Sequence, residues 1–237
     1  VKRRMLENQS ADQITVVGVD DPDSASIFDA LVAKRGGRVI PISVGEEIDP
    51  RAKSEGIWVD GGVLRMAAFK HGEALVDLSA ARGLIGRHNW QNAAAAMACL
   101  TALGCPVAQA ADALHRFPGL AHRMEDLGTA GGVRFINDSK ATNADATDRA
   151  LVCFDDIIWI VGGRAKEGGI QALRPHFGRI RHAFLIGEAA EHFAETLGAE
   201  VAHTIAGDLD TAVTSALDLA RAGKGNAPVV LLSPAAA

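Results

Sequence analysis

Asn137-Asp138-Ser139-Lys140-Ala141-Thr142-Asn143 lies between a strand-like run, Gly132-Val133-Arg134-Phe135-Ile136, and a helix-like run over 144–154. Strand, short polar turn and helix make half of a βαβ unit. In such units the turn sits at the carboxyl end of a parallel sheet, where ligands bind. The turn places an acid, a base, two hydroxyls and two amides within seven residues. A plain connection needs about two to six residues and no cation. A helix-capping turn with a solvated lysine is the alternative reading of this stretch alone.

The chain after this turn repeats the unit. Ile157-Ile158-Trp159-Ile160-Val161, Ala183-Phe184-Leu185-Ile186 and Val229-Val230-Leu231-Leu232 read as strands. They end in Gly162-Gly163-Arg164-Ala165-Lys166-Glu167-Gly168-Gly169, in Gly187-Glu188 and in Ser233-Pro234. Helical patterns fill 170–177, 189–197 and 209–222. Continuous apolar strands alternating with helices predict an α/β domain with a parallel sheet covered on both faces. All the carboxyl ends then lie on one side. Lys140, Thr142, Lys166 and Ser233 are expected to gather along that edge.

The first half reads differently. Residues 14–19 form a strand-like run, and Asp23 is expected to cap a helix reaching about residue 34. Residues 38–44 read as a second strand. Over 56–78, three short β-like runs are broken at Gly61-Gly62 and His71-Gly72, which predicts antiparallel hairpins. Asn89 is expected to cap a helix over 90–103, stopped by Gly104, and Pro106 to open another reaching 117. Pro118-Gly119-Leu120-Ala121 breaks the pattern. The domains are therefore placed at 1–120 and 121–237, a mixed sheet followed by a parallel one.

Composition bounds the function classes. Of 237 residues, 48% are hydrophobic and 22% charged, as in ordinary globular domains, and the net charge of −5 gives no basic surface for nucleic acid. Cys99, Cys105 and Cys153 have no metal-ligand spacing and suit reduced thiols in the cytosol, packed in the core. His88, His115 and His122 show no metal spacing either. Apolar stretches such as 93–103 are too short for a bilayer. Lys2-Arg3-Arg4 is not followed by the apolar core of a signal peptide. The chain begins at Val1 and ends at Ser233-Pro234-Ala235-Ala236-Ala237, directly after a strand, so it is expected to be part of a longer protein.

Several strings coincide in order along nearly the whole chain. They are Gly86-Arg87-His88-Asn89-Trp90-Gln91-Asn92-Ala93, Leu120-Ala121-His122-Arg123-Met124-Glu125, the 137–143 turn, Gly162-Gly163 with Lys166, and Leu231-Leu232-Ser233-Pro234-Ala235. With these the chain resembles the Mur ligases, and among them the D-glutamate-adding type. The Asp-Ser-Lys-Ala-Thr-Asn string discriminates, since sister ligases and folylpolyglutamate synthases carry other residues there. The resemblance implies that 1–120 is the back part of a central ATP-binding domain. It implies that 121–237 is a Rossmann-like, doubly wound C-terminal domain that brings the incoming amino acid, cut short at its end. The family's N-terminal UDP-sugar domain has no counterpart here, and no Gly-x-x-x-x-Gly-Lys-Ser/Thr phosphate loop occurs in the sequence.

The implied reaction uses ATP and magnesium. A carboxylate of UDP-N-acetylmuramoyl-L-alanine becomes an acyl phosphate, and the amine of D-glutamate displaces phosphate. The setting is cytoplasmic peptidoglycan synthesis, hence cell-wall biogenesis, cell shape and cell division. The implied protein is a monomer with small-molecule substrates and no nucleic-acid or membrane partner. This chain alone is expected to be inactive. The alternative is a non-catalytic nucleotide- or amino-acid-binding module derived from such a ligase.

The resemblance also assigns residues. Asn89 and Asn92 match positions near the adenine, where an amide both donates and accepts; capping is the other role open to Asn89. Arg123 matches a phosphate-gripping arginine at the domain hinge, with a salt bridge to Glu125 or Asp126 as its alternative. Asp138 matches a ribose-contacting acid, or else serves as a turn or cap. Lys140 matches a lysine at the phosphates and, with Arg123, is a catalytic candidate that offsets charge during transfer. Thr142 and Lys166 match contacts to the side-chain carboxylate of D-glutamate. Arg164 offers a second cation beside Lys166, and a mobile loop charge is the alternative for Lys166. Lys2 matches a carbamylated lysine that carries a magnesium ligand, or is a surface lysine.

Overall fold

The computed structural model describes residues 4, 6, 9–10, 12–34, 37–45, 56–67, 74–164, 166, 168–222 and 228–237. The chain divides into two units, Val1–Pro118 and Gly119–Ala237.

The first unit runs β1 (Ile14–Gly18), α1 (Pro22–Ala33), β2 (Arg38–Val44), β3 (Ile57–Asp60), β4 (Val63–Met66), β5 (Ala74–Asp77), α2 (Arg87–Ala102) and α3 (Val107–His115). The strands form one sheet in chain order. The first three are parallel and the last three antiparallel, so the mixed sheet expected from the hairpin spacing is present. Side chains alternate across the pleat. Val17, Val19 and Val39 therefore meet Phe28 of α1 on one face. Ile40, Ile42 and Val44 join the core of the other face, which includes Ala93, Ala94, Met97 and Ala98 of α2.

Two caps differ from expectation. Asp21, not Asp23, caps α1, its Oδ1 accepting from the Ser24 N–H at 2.9 Å. Pro22 sets this by occupying the first helical position, which leaves the residue before it as the cap. Asn89 does not cap α2, because the helix starts earlier, behind Gly86 at φ 91°. Asn89 lies in the first turn and its Nδ2 donates to the Ile85 carbonyl at 2.8 Å. Cys99 is exposed rather than packed in the core, and all three cysteines are free.

The second unit runs β6 (Glu125–Ala130), β7 (Val133–Asn137), α4 (Ala144–Leu151), β8 (Ile157–Gly162), a 3-10 helix (Gln171–Arg179), β9 (Ile180–Ile186), α5 (Ala190–Leu197), β10 (His203–Gly207), α6 (Leu209–Ala222) and β11 (Val229–Leu232). The strand order is β10-β9-β8-β11-β7-β6, parallel throughout except for β6. The crossovers from β7 to β10 all step the same way, and right-handed crossovers then place their helices on one face. α6 returns over the other face, where Ala212, Ala216 and Ala220 pack with Ile158, Ile160, Phe184 and Val230. The doubly wound α/β sheet follows the sequence expectation.

Three local features do not. β6 and β10 are the edge strands, and neither has a continuous apolar run to announce it. The helical pattern over 170–177 folds as a 3-10 helix with Pro175 inside. A proline lacks the N–H that an α-helical interior requires. Among the described residues no helix is long and apolar enough to cross a membrane.

Candidate functional site

Strand register builds the site. Leu232 of β11 lies opposite Asn137 of β7 on one side and Ile160 of β8 on the other. The residues that follow, Asp138 and Ser233, therefore leave the sheet side by side. The Asp138 N–H donates to the Leu232 carbonyl at 2.8 Å.

Asp138 turns inward. It is 7% exposed, with Ser233 and Thr147 wholly buried beside it. Its Oδ1 accepts from the Met124 N–H at 3.1 Å, and the Ser233 hydroxyl donates to its Oδ2 at 3.1 Å. The Ser233 and Thr147 hydroxyls are 3.0 Å apart. A hydroxyl carries one hydrogen, so while Ser233 serves the carboxylate, Thr147 donates to Ser233. The Trp159 Nε1–H donates to the Ser233 carbonyl at 2.9 Å. Burial pushes the Asp138 carboxyl above its usual range; the Met124 and Ser233 bonds and the Arg123 charge oppose that. Each carboxylate oxygen of Asp138 thus has one protein donor.

Arg123 and Lys140 turn outward and are exposed. Neither makes an ion pair with a described residue. The acids offered as partners for Arg123 are engaged elsewhere. Asp126 pairs with Arg134 at 3.0 Å. Glu125 Oε2 accepts from the His122 N–H at 2.9 Å and from Asn137 Nδ2 at 3.1 Å. The Lys140 N–H donates to the His122 carbonyl at 3.0 Å, so the backbones carrying the two cations are adjacent. Two bare cations on joined turns suit a polyanion.

Thr142 and Lys166 come together, with Lys166 Nζ 3.4 Å from Thr142 Oγ1. Arg164 instead reaches Glu188 at 3.5 Å. The geometry thus separates two cations that the sequence separated only by resemblance. The loop leaves β8 through Gly162 at φ 130°, where a Cβ would lie 2.0 Å from the Ile186 carbonyl oxygen. Asn143 caps α4 through the Ala146 N–H at 2.8 Å, and α4 carries Thr147 into the core.

In the first unit, Asn89 and Asn92 share the first turns of α2, with Asn92 Nδ2 3.4 Å from Asn89 Oδ1. Gln91 Nε2 donates to Asp20 Oδ2 at 3.0 Å, and Asp20 also accepts from the Ser43 hydroxyl at 2.7 Å and from the Val44 N–H. Sequence reasoning missed Asp20 as an organiser of this edge. It also missed His122, Asn137 and Thr147. For Thr147 a signal existed, because 147, 150 and 151 have the spacing of one buried helical face. Lys2 lies outside the described residues. Among the described residues no group of three or more His, Cys, Asp or Glu side chains could hold a metal ion.

Residues 122–236 match the model of the Mur ligase, glutamate ligase domain. The UDP-N-acetylmuramoylalanine–D-glutamate ligase of Paramagnetospirillum magneticum is 48% identical over 236 residues, which is 100% of this chain and 50% of that protein. The ligase of the same name from Caulobacter sp. is 46% identical, covering 100% and 49%. Among solved structures, E. coli FolC in complex with ADP superposes with a TM-score of 0.61 at 18% identity, over 98% of this chain and 53% of that one. That likeness shows the fold alone. The chain spans about half the length of the curated relatives it matches. On its strings, its doubly wound second unit and the full-length similarity, the chain belongs to the Mur ligase family.

Proposed function

We propose that the whole protein containing this chain is an ATP-dependent ligase that joins D-glutamate to UDP-N-acetylmuramoyl-L-alanine, in cytoplasmic peptidoglycan synthesis. Residues 1–118 supply part of its ATP-binding domain and 119–237 its amino-acid-binding domain. The observation that carries the reading is the Lys166–Thr142 pair at 3.4 Å. A cation with a hydroxyl recognises a carboxylate that neutral amino-acid side chains lack, and the relatives' shared name specifies D-glutamate.

The remaining roles follow from charge. Arg123 and Lys140 grip the ATP phosphates and offset the negative charge that grows during phosphoryl transfer. The UDP-sugar carboxylate takes the terminal phosphoryl group, leaving ADP. The D-glutamate amine then attacks the acyl carbon and phosphate departs. Asn89 and Asn92 offer amide donors and acceptors to the adenine edge. When bound, magnesium would neutralise phosphate charge; among the described residues no group of three or more His, Cys, Asp or Glu side chains offers it a ligand set.

The test is ATP-dependent joining of radiolabelled D-glutamate to UDP-N-acetylmuramoyl-L-alanine by the full-length protein. Product formation that stops without ATP supports the reading, and efficient use of a neutral amino acid instead would sink it. Lys140→Ala should lower turnover more than it weakens D-glutamate saturation; the reverse would move Lys140 into the amino-acid site. Residues 1–237 alone, with no Gly-x-x-x-x-Gly-Lys-Ser/Thr loop, are proposed to be inactive.

A further inference from the structure

Asp20 has no part in the reaction as proposed above, yet it gathers donors from two other elements. It follows β1, and its neighbour Asp21 already caps α1. Its Oδ1 accepts from the Ser43 hydroxyl of β2 at 2.7 Å, and its two oxygens share the Val44 N–H at 3.1 and 3.0 Å. Oδ2 also accepts from Gln91 Nε2 of α2 at 3.0 Å. A second line runs beside this one: the Arg87 guanidinium donates to the Val44 carbonyl at 2.7 Å. Through Gln91 and Arg87, the first turns of α2 are tied to the carboxyl ends of β1 and β2.

α2 begins without a side-chain cap, behind Gly86 at φ 91°, so its opening turn depends on such ties. Gly18 is an independent sign that the Gln91 bond is built in. Its backbone lies outside the left-handed region, so its conformation does not call for glycine. A Cβ there would lie 3.2 Å from Gln91 Nε2. The absent side chain leaves the space in which Gln91 reaches Asp20. Gln91 stands between Asn89 and Asn92, the amides assigned to adenine. Their orientation is set in the same turn. Asn89 Nδ2 donates to the Ile85 carbonyl at 2.8 Å, which leaves Asn89 Oδ1 facing Asn92 Nδ2 at 3.4 Å.

We propose that Asp20 is a positioning residue for the nucleotide: through Gln91 it fixes the opening turn of α2 against the sheet, and so sets where Asn89 and Asn92 meet the adenine. This inference rests on the ATP-dependent reading above. The bonds from Ser43 and Val44 hold the carboxylate in place, and Gln91 transmits that position to the helix. Gly18, Asp20 and Gln91 thereby gain a place in nucleotide recognition without any contact to substrate.

The experiment is a mutant cycle in the full-length protein. Gln91→Leu removes the donor and should raise KM for ATP about 3- to 10-fold, with kcat and KM for D-glutamate little changed. In an Asn89→Ala, Asn92→Ala background the same substitution should have no further effect, because it acts only through those amides. Asp20→Ala should raise KM for ATP at least as much. It should also lower the urea midpoint, since it strands the Ser43 hydroxyl and the Val44 N–H; Gln91→Leu carries the test should Asp20→Ala not fold. A lowered midpoint with KM for ATP unchanged would leave Asp20 a purely structural residue and overturn the proposal. So would a rise in KM that persists undiminished without the two asparagines. Hydrogen exchange supplies a readout independent of activity. The Trp90 N–H, which donates to the Gly86 carbonyl at 3.1 Å in the opening turn, should exchange at least about threefold faster in Gln91→Leu. Unchanged exchange would also overturn the proposal. If the wild-type protein joins no D-glutamate, the functional reading fails, and hydrogen exchange still decides whether Asp20 holds the turn.

Discussion

Two faces of one turn behave oppositely. Within the 137–143 segment, Asp138 points into the protein and finds donors on two other segments, at Met124 and Ser233, with the Thr147 hydroxyl behind Ser233. Two residues later, Lys140 points out and makes no ion pair with a described residue; Thr142 meets the Lys166 ammonium. The inner face is satisfied and buried, and an unpaired polar group there costs stability. The outer face is left incomplete, and incomplete charge at a sheet's carboxyl edge is what a ligand can use. The same seven residues thus serve as a brace on one side and a recognition surface on the other.

The sharpest way to break that comparison is to damage the inside alone. Trp159 is wholly buried and its indole N–H holds the Ser233 carbonyl. Trp159→Ala should cost about 3–5 kcal/mol of stability, read from urea unfolding. A loss below about 1 kcal/mol would show that the inner face is not the rigid support described.

Damage to the outside should do the reverse. Lys166→Ala in the full-length enzyme should weaken D-glutamate saturation by roughly 1.5–3 kcal/mol and leave the urea midpoint unmoved, because Lys166 is exposed. Unchanged D-glutamate kinetics would remove Lys166 from the site.

Asn143 lies at the border, where the turn becomes α4. Asn143→Ala removes the cap and should cost about 1 kcal/mol of stability. Because α4 carries Thr147, protection of the Met124 amide should fall slightly as well. A stability loss with no change at Met124 would uncouple the helix from the brace.

The smallest effect is expected at the opposite, amino edge of the same sheet. Burial, then the neighbouring His203, hold the His182 imidazole below its ordinary value. The unfolded chain therefore binds the proton more readily, and stability falls as pH drops through about 6.5 toward the folded-state value. Above that range His182 contributes no pH dependence. The urea midpoint should decline modestly from about pH 8 to about pH 5.5, and less so in His182→Gln. An identical decline in the variant would assign the dependence to other groups.

Legibility in the sequence followed burial. The central strands announced themselves because both faces are covered: every residue of β8 is buried, and an unbroken apolar run is hard to mistake. The mixed sheet of the first unit was legible from the spacing of its short runs and the break at Gly61-Gly62; His71-Gly72 lies outside the described residues. The edge strands were not legible, since β6 has one neighbour and reads Glu125-Asp126-Leu127-Gly128-Thr129-Ala130. The start of α2 was misplaced because Gly86 ended the preceding chain before Asn89 was reached.

The sequence alone determined the α/β class, the family, and the gathering of Lys140, Thr142, Lys166 and Ser233 at one sheet edge, because strand polarity and crossover hand leave little choice. It did not determine which way each side chain of that edge points. Asp138 lies inward because Leu232 pairs with Asn137, which puts Ser233 beside it, and because α4 brings Thr147 behind both. Arg164 and Lys166 are equivalent in the sequence, and only the fold sends one to Glu188 and the other to Thr142. The Thr142–Lys166 and Asp138–Ser233 partners lie 24 and 95 residues apart along the chain, and they meet only once the sheet has formed.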